Sequence, residues 1–210
     1  MLCFVQELYV SLCAFMTTYR EQLKALLRRK SIVRGNFTLA SGKSSTYYID
    51  CKLTTLDPEG AVLVGHSVLD ALEAAGIQAD AIGGPPIGAH PIVAVVAAVS
   101  HLRGKPLPAF LIRKEAKSHG LEKQIEGPVK PGARVVIIDD VCTSGGSTFQ
   151  TLDAVKNAGL QIVAVMSLVD REQGGSEKLR QEYKYLPIFT AREILEGVIS
   201  EAEQSAQAGR

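Results

Sequence analysis

The stretch that most constrains the fold of this chain is RVVIIDDVCTSGGSTFQ, residues 134–150. Four consecutive β-branched apolar residues, 135–138, lead into two carboxylates, Asp139 and Asp140. An apolar run without polar alternation is typical of a strand covered on both faces, as in the parallel sheet of an α/β domain. The carboxylates should therefore emerge at the carboxyl end of a central strand, where open α/β sheets place their ligands.

The same stretch continues into a turn rich in glycine and hydroxyl residues, which we call the phosphate loop (residues 143–147). Its glycines permit a tight turn and a close approach to a ligand, and the N–H groups that open the next helix can bind an anion. Two acids beside a phosphate would repel it, so their presence implies another role. They could accept hydrogen bonds from ribose hydroxyls or hold Mg2+ through water. The spacing matches neither a Walker loop nor G-x-G-x-x-G. The stretch therefore predicts a site for a sugar phosphate.

Length and composition indicate one α/β domain. The 210 residues suffice for one well-packed domain and are too few for two full-sized ones. The formal net charge of +1 gives no basic field for nucleic acid and no acidic bias towards disorder. The four cysteines form no C-x-x-C pair and no Cys/His metal spacing, so we expect reduced thiols in a cytoplasmic protein.

The chain begins with an apolar segment, MLCFVQELYVSLCAF, at residues 1–15. It is too short to span a bilayer, is interrupted by Gln6 and Glu7, and has no basic leader, so we expect no membrane association. We interpret it as a peripheral extension. A single domain is expected over residues 16–210.

Periodicity predicts alternating helices and strands after this extension. A hairpin within residues 35–52, GNFTLASGKSSTYYIDCK, would form a small hood beside the main sheet. Helices are predicted at 19–30, 58–76, 92–100, 147–158, 176–183 and from Thr190, and strands at 79–82, 109–112, 162–169 and 186–189. Val62 is placed on the apolar face of the second of these helices. The Gly/Pro-rich turn GGPPIGAHP offers a second backbone nest, suited to a pyrophosphate.

A basic segment, RKEAKSHGLEKQIEG at residues 113–127, follows the strand predicted at 109–112. We call it the lid segment. It carries four basic groups, Arg113, Lys114, Lys117 and His119. A charge run alone is usually a solvated loop or helix face. Its position directly before the phosphate-binding strand favours instead a mobile basic lid over a polyanionic leaving group.

Four side chains are candidates for binding a planar, anionic substrate. Arg171, in LVDREQGG, stands at the end of another strand, where its guanidinium could bind a carboxylate through two hydrogen bonds. Tyr47 and Tyr48 could offer an aromatic ring, and Lys43 a positive charge. Tyrosines that only pack the hairpin are an equally good interpretation of this segment alone.

Together these motifs resemble the orotate phosphoribosyltransferases, within the type I phosphoribosyltransferase family. The resemblance rests on FTLASGK, RKEAKSHG, VVIIDDVCTSGGST and LVDREQGG, in this order. The acidic loop is shared across the superfamily, whereas the R-K-E-x-K-x-H-G pattern is more specific. The resemblance implies a mostly parallel sheet flanked by helices, with an N-terminal hood. It also implies transfer of the phosphoribosyl group of 5-phosphoribosyl 1-pyrophosphate (PRPP) to orotate, giving orotidine 5'-phosphate and pyrophosphate in pyrimidine biosynthesis.

The resemblance also implies roles for individual residues. PRPP would be bound by the lid cations and by Asp139, Asp140, Val141, Cys142, Thr143, Ser144, Gly145, Gly146 and Ser147. The catalytic residues would be Arg113, Lys114, Lys117 and His119, which grip the pyrophosphate, some of them in the neighbouring subunit of a homodimer. Orotate would be bound by Thr143, Arg171, Tyr47, Tyr48 and Lys43. Mg2+ would be held mainly by PRPP, with no direct protein ligand and with water-bridged contact to Asp139 and Asp140 as an option.

Two departures from the family pattern concern phosphate-binding cations. Some orotate enzymes have a lysine where this chain has Ala40, and another in the turn that here contains Gly88. Lys43 and the backbone of Gly88 and Ala89 are the candidate substitutes. Weaker pyrophosphate binding, greater reliance on the lid or loss of activity would follow.

Three alternative functions stay open. One is a phosphoribosyltransferase for another base, and the second is a non-catalytic, PRPP-sensing regulator with the same fold. The third is an orotate enzyme associated with a decarboxylase on a separate chain.

Overall fold

The computed structural model describes residues 18–38, 44–113 and 124–196. Its elements in chain order are α1 (Tyr19–Lys30), β1 (Ile32–Thr38), β2 (Ser44–Ile49), α2 (Lys52–Thr55), α3 (Pro58–Ala74), β3 (Ala81–Gly84), α4 (Ala89–Leu102), β4 (Ala109–Ile112), β5 (Ile125–Glu126), β6 (Arg134–Cys142), α5 (Gly146–Asn157), β7 (Gln161–Asp170), α6 (Gly175–Glu182), β8 (Tyr185–Thr190) and α7 (Ala191–Leu195). The extension predicted at residues 1–15 lies outside the described residues. Among the described helices, none is long and apolar enough to cross a membrane.

Within these described ranges, the main sheet has six strands in the order β5-β4-β3-β6-β7-β8. Every neighbouring pair is parallel except β4 and β5, which are antiparallel. Strand β6 lies between β3 and β7, and its residues 135–138 are fully buried. The predicted mostly parallel α/β sheet, with a central strand covered on both faces, is confirmed.

The side chains of β6 alternate between two hydrophobic cores. Val136 and Ile138 pack in a core with helices α1, α3, α4 and α7. Val135 and Ile137 pack in a second core with α5 and α6. Since successive side chains of a strand point to opposite faces, helices on both faces require an unbroken apolar run. The four consecutive apolar residues of β6 are therefore explained by helices packed against both of its faces.

The hood is a separate two-stranded antiparallel sheet formed by β1 and β2. Its register pairs Ile32 with Ile49, and a bulge falls between Arg34 and Phe37. The predicted hairpin is confirmed, with a first strand that begins earlier than expected. The turn between the strands, residues 39–43, lies outside the described residues and contains both Ala40 and Lys43.

The strand predicted at 79–82 is displaced to Ala81–Gly84. Glycines disfavour strands, so a pattern-based prediction ends the strand before Gly83. In the structure, a Cβ atom on Gly83 would lie 2.3 Å from the ring of Phe110, and one on Gly84 would lie 2.2 Å from the carbonyl oxygen of Ile138. Close packing of neighbouring strands therefore requires the two glycines.

Val62 of α3, predicted to face the core, is exposed.

Helix α1 is joined to helix α7 through arginine side chains. Arg28 donates from Nε to the carbonyl oxygen of Ile194 at 2.8 Å, and from Nη2 to those of Glu193 at 2.9 Å and Glu196 at 2.8 Å. The last carbonyls of a helix have no partner within it, so a charged donor there stabilises the helix end. The helix predicted from Thr190 is also confirmed as α7, and Thr190 caps it, because Thr190 Oγ1 accepts from the backbone N–H of Glu193 at 3.1 Å.

We expect Arg28→Ala to lower the free energy of unfolding by about 1–2 kcal/mol, because carbonyls at the end of α7 lose their charged donor. Urea denaturation monitored by circular dichroism would measure this change. Arg29→Ala is the matched control: within the described structure, the Arg29 side chain makes only an exposed ion pair with Glu59 at 3.6 Å, a type worth about 0–1 kcal/mol. Equal losses in the two variants would contradict the anchoring role of Arg28.

Candidate active site

The candidate site lies at the carboxyl edge of the sheet, where β3, β6 and β7 end. Strand β3 leads into the turn at residues 85–88, β6 leads into the phosphate loop, and β7 ends at Asp170, directly before Arg171. These strands are parallel neighbours, so their ends meet at one edge. The structure thus brings together the three motifs that the sequence places far apart.

The two acids of β6 form the floor of the site. Asp139 is almost fully buried, and its Oδ2 accepts a hydrogen bond from Thr148 Oγ1 at 3.2 Å. Its Oδ1 accepts from the backbone N–H of Asp140 at 2.9 Å, and Asp140 Oδ1 accepts from that of Val141 at 3.0 Å. Burial, together with the neighbouring charge of Asp140, raises the pKa of Asp139 to about 7. A cation or hydroxyl donors near this pair would relieve the repulsion.

The phosphate loop turns the chain from β6 into α5. Gly145 has a φ of +82°, in the left-handed region that favours glycine, and α5 begins at the next residue. The first N–H groups of a helix have no partner within it, and they attract anions. Ser144, Gly146 and Ser147 are exposed at this point. The predicted phosphate site would thus combine exposed hydroxyls with free helix N–H groups.

The side chains of Val141 and Cys142, two residues that the sequence predicts to contact PRPP, both pack inwards. Val141 packs against the first core, and Cys142 is buried in the second. Burial raises the pKa of the Cys142 thiol to about 11, so the thiol stays protonated at neutral pH. Any contact of these residues with PRPP would therefore use the main chain.

The turn after β3 packs directly against the acid pair. A Cβ atom built on Gly88 would lie 2.2 Å from the carboxylate of Asp140. A side chain at position 88 would thus require the Asp140 carboxylate to move. This contact gives a physical reason for glycine at the position where some orotate enzymes have a lysine.

Arg171 and Tyr47 lie together beside the phosphate loop. The Arg171 side chain is only 8% exposed, and its Cζ atom lies 5.3 Å from the centroid of the Tyr47 ring. Its backbone N–H donates to the carbonyl oxygen of Cys142 at 2.8 Å. Within the described part of the chain, Arg171 Nε has no hydrogen-bond partner. A buried charged donor without a partner is costly, so this guanidinium is suited to an anionic ligand.

The side chain of Tyr48, unlike that of Tyr47, does not lie beside Arg171. Successive residues of a strand point to opposite faces, and the ring of Tyr48 lies 5.7 Å from that of Phe37. Its side chain is 41% exposed, whereas Tyr47 packs against the core. The structure therefore brings one of the two predicted tyrosines to Arg171.

The lid segment is described only at its ends. The backbone N–H of Arg113 donates to the carbonyl oxygen of Gln124 at 2.9 Å, and its Nη1 pairs with Glu126 Oε1 at 2.9 Å. These contacts join the two ends of the segment. The predicted catalytic residues Lys114, Lys117 and His119 lie outside the described residues, as does Lys43.

Two residues beyond the predicted set also shape the site. Thr148 fixes the carboxylate of Asp139, and its place in the Thr/Ser-rich turn is a usable sequence signal. Gly175 donates its N–H to the carbonyl oxygen of Thr143 at 3.0 Å. Gly175 closes the LVDREQGG motif, but its contact with the phosphate loop has no sequence signal, because the two segments are far apart along the chain.

Comparison with known proteins agrees with this geometry. Residues 56–198 match the model of the phosphoribosyl transferase domain family. The chain is 44% identical to the orotate phosphoribosyltransferase of Rhodopirellula baltica over 172 residues, which cover 80% of this chain and 89% of that protein.

Solved structures agree as well. The orotate phosphoribosyltransferase of Mycobacterium tuberculosis in complex with Fe(III) dicitrate superposes with a TM-score of 0.73 and 33% identity, covering 84% of this chain and 98% of that one. The same enzyme in complex with PRPP gives a TM-score of 0.70 and 30% identity, with the same coverage. This chain therefore belongs to the orotate phosphoribosyltransferase family.

Proposed function

We propose that the chain transfers the phosphoribosyl group of PRPP to orotate at this edge of the sheet, giving orotidine 5'-phosphate and pyrophosphate for pyrimidine biosynthesis. The observation that carries this proposal is Arg171, a buried guanidinium beside Tyr47 whose Nε donor has no partner among the described residues. A guanidinium binds a carboxylate through two hydrogen bonds, and orotate is a pyrimidine base with a carboxylate. Uracil and the purine bases lack this group.

In this proposal, PRPP lies across the phosphate loop and the acid pair. The N–H groups and hydroxyls of the loop bind its 5-phosphate, and Asp139 and Asp140 accept hydrogen bonds from its ribose hydroxyls. Gly88, in the turn at 85–88, packs against the carboxylate of Asp140, and main-chain groups of this turn would contact the pyrophosphate. The related M. tuberculosis enzyme has been solved in complex with PRPP, which supports PRPP as the ligand.

The reaction needs no nucleophilic side chain. Orotate that has lost its N1 proton to solvent attacks C1 of the ribose through N1 while the bond from C1 to the pyrophosphate oxygen breaks, and the transition state has oxocarbenium character. The chain holds the two substrates in line, supplies donors where negative charge grows on the pyrophosphate, and excludes water that would hydrolyse the sugar.

Mg2+ is the cofactor in this proposal, and its contribution is to neutralise charge on the pyrophosphate. The acid pair fits a nearby cation, because burial beside Asp140 already raises the pKa of Asp139. Asp139 and Asp140 would contact the ion through water, and PRPP would supply its direct ligands.

The functional unit we propose is a cytoplasmic homodimer in which lid cations of one subunit reach the site of the other. The resemblance to orotate enzymes supports this arrangement. So does the exposure of Leu53 and Leu56, which are 50% and 67% exposed near the hood, since apolar surface of this kind is common where subunits meet.

We expect Lys117→Ala to lower kcat on the order of 100-fold while changing KM for either substrate much less, because a lid cation stabilises charge that develops in the transition state. Steady-state kinetics would measure both constants. Lys130→Ala, an exposed lysine beyond the lid segment, is the matched control and should leave kcat unchanged. An unchanged kcat in Lys117→Ala would remove the lid from the mechanism.

The same variant tests the shared site. Lys117→Ala subunits supply an intact base-binding arginine, and Arg171→Ala subunits supply an intact lid. If lids cross between subunits, a mixture of the two inactive proteins should regain activity through hybrid dimers. No recovery after subunit exchange would contradict a shared lid.

Turnover tests the proposed function itself. The chain should consume orotate, followed by its ultraviolet absorbance, only when PRPP and Mg2+ are both present, and should form orotate in the reverse reaction from orotidine 5'-phosphate and pyrophosphate. Turnover with a different base instead would identify a phosphoribosyltransferase of other specificity. PRPP binding without turnover of any base would identify the non-catalytic regulator.

A further inference from the structure

The turn that carries Arg171 is bonded to the phosphate loop. We call residues 170–175 the β7 turn. At its start, the backbone N–H of Arg171 donates to the carbonyl oxygen of Cys142 at 2.8 Å, and at its end, that of Gly175 donates to the carbonyl oxygen of Thr143 at 3.0 Å. The β7 turn is thus bonded through its main chain to the last residue of β6, Cys142, and to the first residue of the phosphate loop, Thr143, although these segments are distant in sequence.

Gly175 packs against the backbone of the phosphate loop itself. A Cβ atom built on Gly175 would lie 2.5 Å from the carbonyl oxygen of Thr143, 2.6 Å from the backbone nitrogen of Gly145 and 2.8 Å from the carbonyl carbon of Ser144. These are rigid main-chain atoms, which cannot turn aside as a flexible side chain would. The φ of Gly175 is outside the left-handed region. Glycine is therefore required here for space and not for backbone conformation.

Asp170 fixes the other end of the β7 turn. Its side chain is 1% exposed, and Oδ1 accepts a hydrogen bond from the backbone N–H of Glu172 at 2.8 Å. Glu172 has a φ of +54°, a left-handed conformation that is uncommon for glutamate. Asp170 thus holds the strained start of the β7 turn, where Arg171 lies between Asp170 and Glu172.

We propose that Asp170 and Gly175 are positioning residues that hold the base-binding arginine and the phosphate loop as one rigid unit. This inference rests on the proposed function, in which the loop binds the 5-phosphate and Arg171 binds the base. The nucleophile and the ribose must meet with accurate geometry, and a displacement of about 1 Å can cost on the order of 100-fold in rate. A change at either end of the β7 turn should therefore affect the binding of both substrates.

Gly174 and Gly175 provide a matched pair of variants. Gly174 has a φ of +92°, and no atom of the described residues lies within 4 Å of its Cβ position, so alanine there meets a backbone cost without a collision. Gly175→Ala meets a collision with the loop without that backbone cost. We expect Gly175→Ala to raise KM for both PRPP and orotate at least about 10-fold, and Gly174→Ala to change each by less than about threefold. Similar KM values in the two variants would overturn the inference.

A second pair keeps the inference testable if Gly175→Ala does not fold. Asp170→Asn retains an oxygen that accepts from Glu172 and loses only an ion pair to the exposed Arg180 at 3.7 Å, whereas Asp170→Ala loses the acceptor. KM for orotate should rise at least about 10-fold in the alanine variant and stay within about threefold of wild type in the asparagine variant. Equal effects of the two substitutions would contradict a positioning role for Asp170.

Calorimetric titration with PRPP separates failure of this inference from failure of the proposed function. If the wild-type protein binds PRPP but does not turn over orotate, the proposed function fails. The inference is then decided by PRPP affinity alone, which should fall at least about 10-fold in Gly175→Ala relative to Gly174→Ala. A wild-type protein that does not bind PRPP overturns both.

Discussion

Arg171→Ala is expected to raise KM for orotate by about 30- to 1,000-fold, since losing one partner of a buried charge pair costs about 2–4 kcal/mol. The guanidinium is buried, its Nε donor has no partner in the described structure, and Tyr47 stacks beside it. KM for PRPP should change far less, because the alanine retains the backbone bond to Cys142. Initial rates at saturating PRPP would measure the effect on orotate.

Two further variants sharpen this prediction. Arg171→Lys keeps the charge but loses the planar pair of donors, so its KM for orotate should lie between those of the wild type and Arg171→Ala. Arg134→Ala is the control: Arg134 begins β6 at the opposite edge of the sheet, where it pairs with Asp80 at 3.2 Å. An orotate KM in Arg171→Ala within about threefold of the Arg134→Ala value would show that Arg171 does not bind the base.

Asp139→Asn is expected to weaken catalysis and to stabilise the fold at the same time. A ribose hydroxyl loses a charged acceptor, which should lower kcat/KM for PRPP by about 10- to 150-fold. The buried carboxylate, in contrast, is costly to the folded state when it is ionised. In the absence of ligand and divalent cations at pH 8, we expect the variant to unfold at a temperature about 5–10 °C above that of the wild type. This shift corresponds to a gain of about 2–4 kcal/mol in the free energy of unfolding.

The stability that Asp139→Asn gains over the wild type should increase with pH. Burial raises the pKa of Asp139 from 3.8 to about 7 in the folded protein, so between these values the folded chain binds more protons than the unfolded chain. The stability of the wild type should therefore fall as pH rises from about 4 to about 7. The advantage of Asp139→Asn should accordingly shrink to less than half at pH 5. Asp153→Asn, an exposed control in α5, should show no such trend. An advantage for Asp139→Asn that is constant between pH 5 and 8 would contradict a raised pKa.

The central strand and the phosphate loop could be predicted because their signals are local. The unbroken run at 135–138 follows from helices packed on both faces of β6, and the acids and glycines after it are adjacent in sequence. Parallel topology then places Arg171, at the end of the next strand, at the same edge. The local sequence pattern and the rule that parallel strands end at the same edge of a sheet were together sufficient to predict this part of the site.

Features that depend on contacts between distant segments could not be predicted. The sequence gives no sign of which hairpin face meets the sheet, so Tyr47 and Tyr48 were equivalent until the fold placed Tyr47 against Arg171. Gly83 and Gly84 disfavour a strand locally, and only the neighbouring Phe110 and Ile138 explain why β3 contains them. Gly175 looks like an ordinary helix start until its contact with the phosphate loop is known.

The ratio of kcat/KM for orotate to kcat/KM for uracil, measured with the wild-type protein at fixed PRPP and Mg2+, tests the central claim most directly. Uracil has the same ring without the carboxylate that Arg171 is proposed to bind. A site built around a buried guanidinium should favour orotate at least about 100-fold, since without the carboxylate the charged donors stay unpaired. Equal constants for the two bases, or a preference for uracil, would contradict the account.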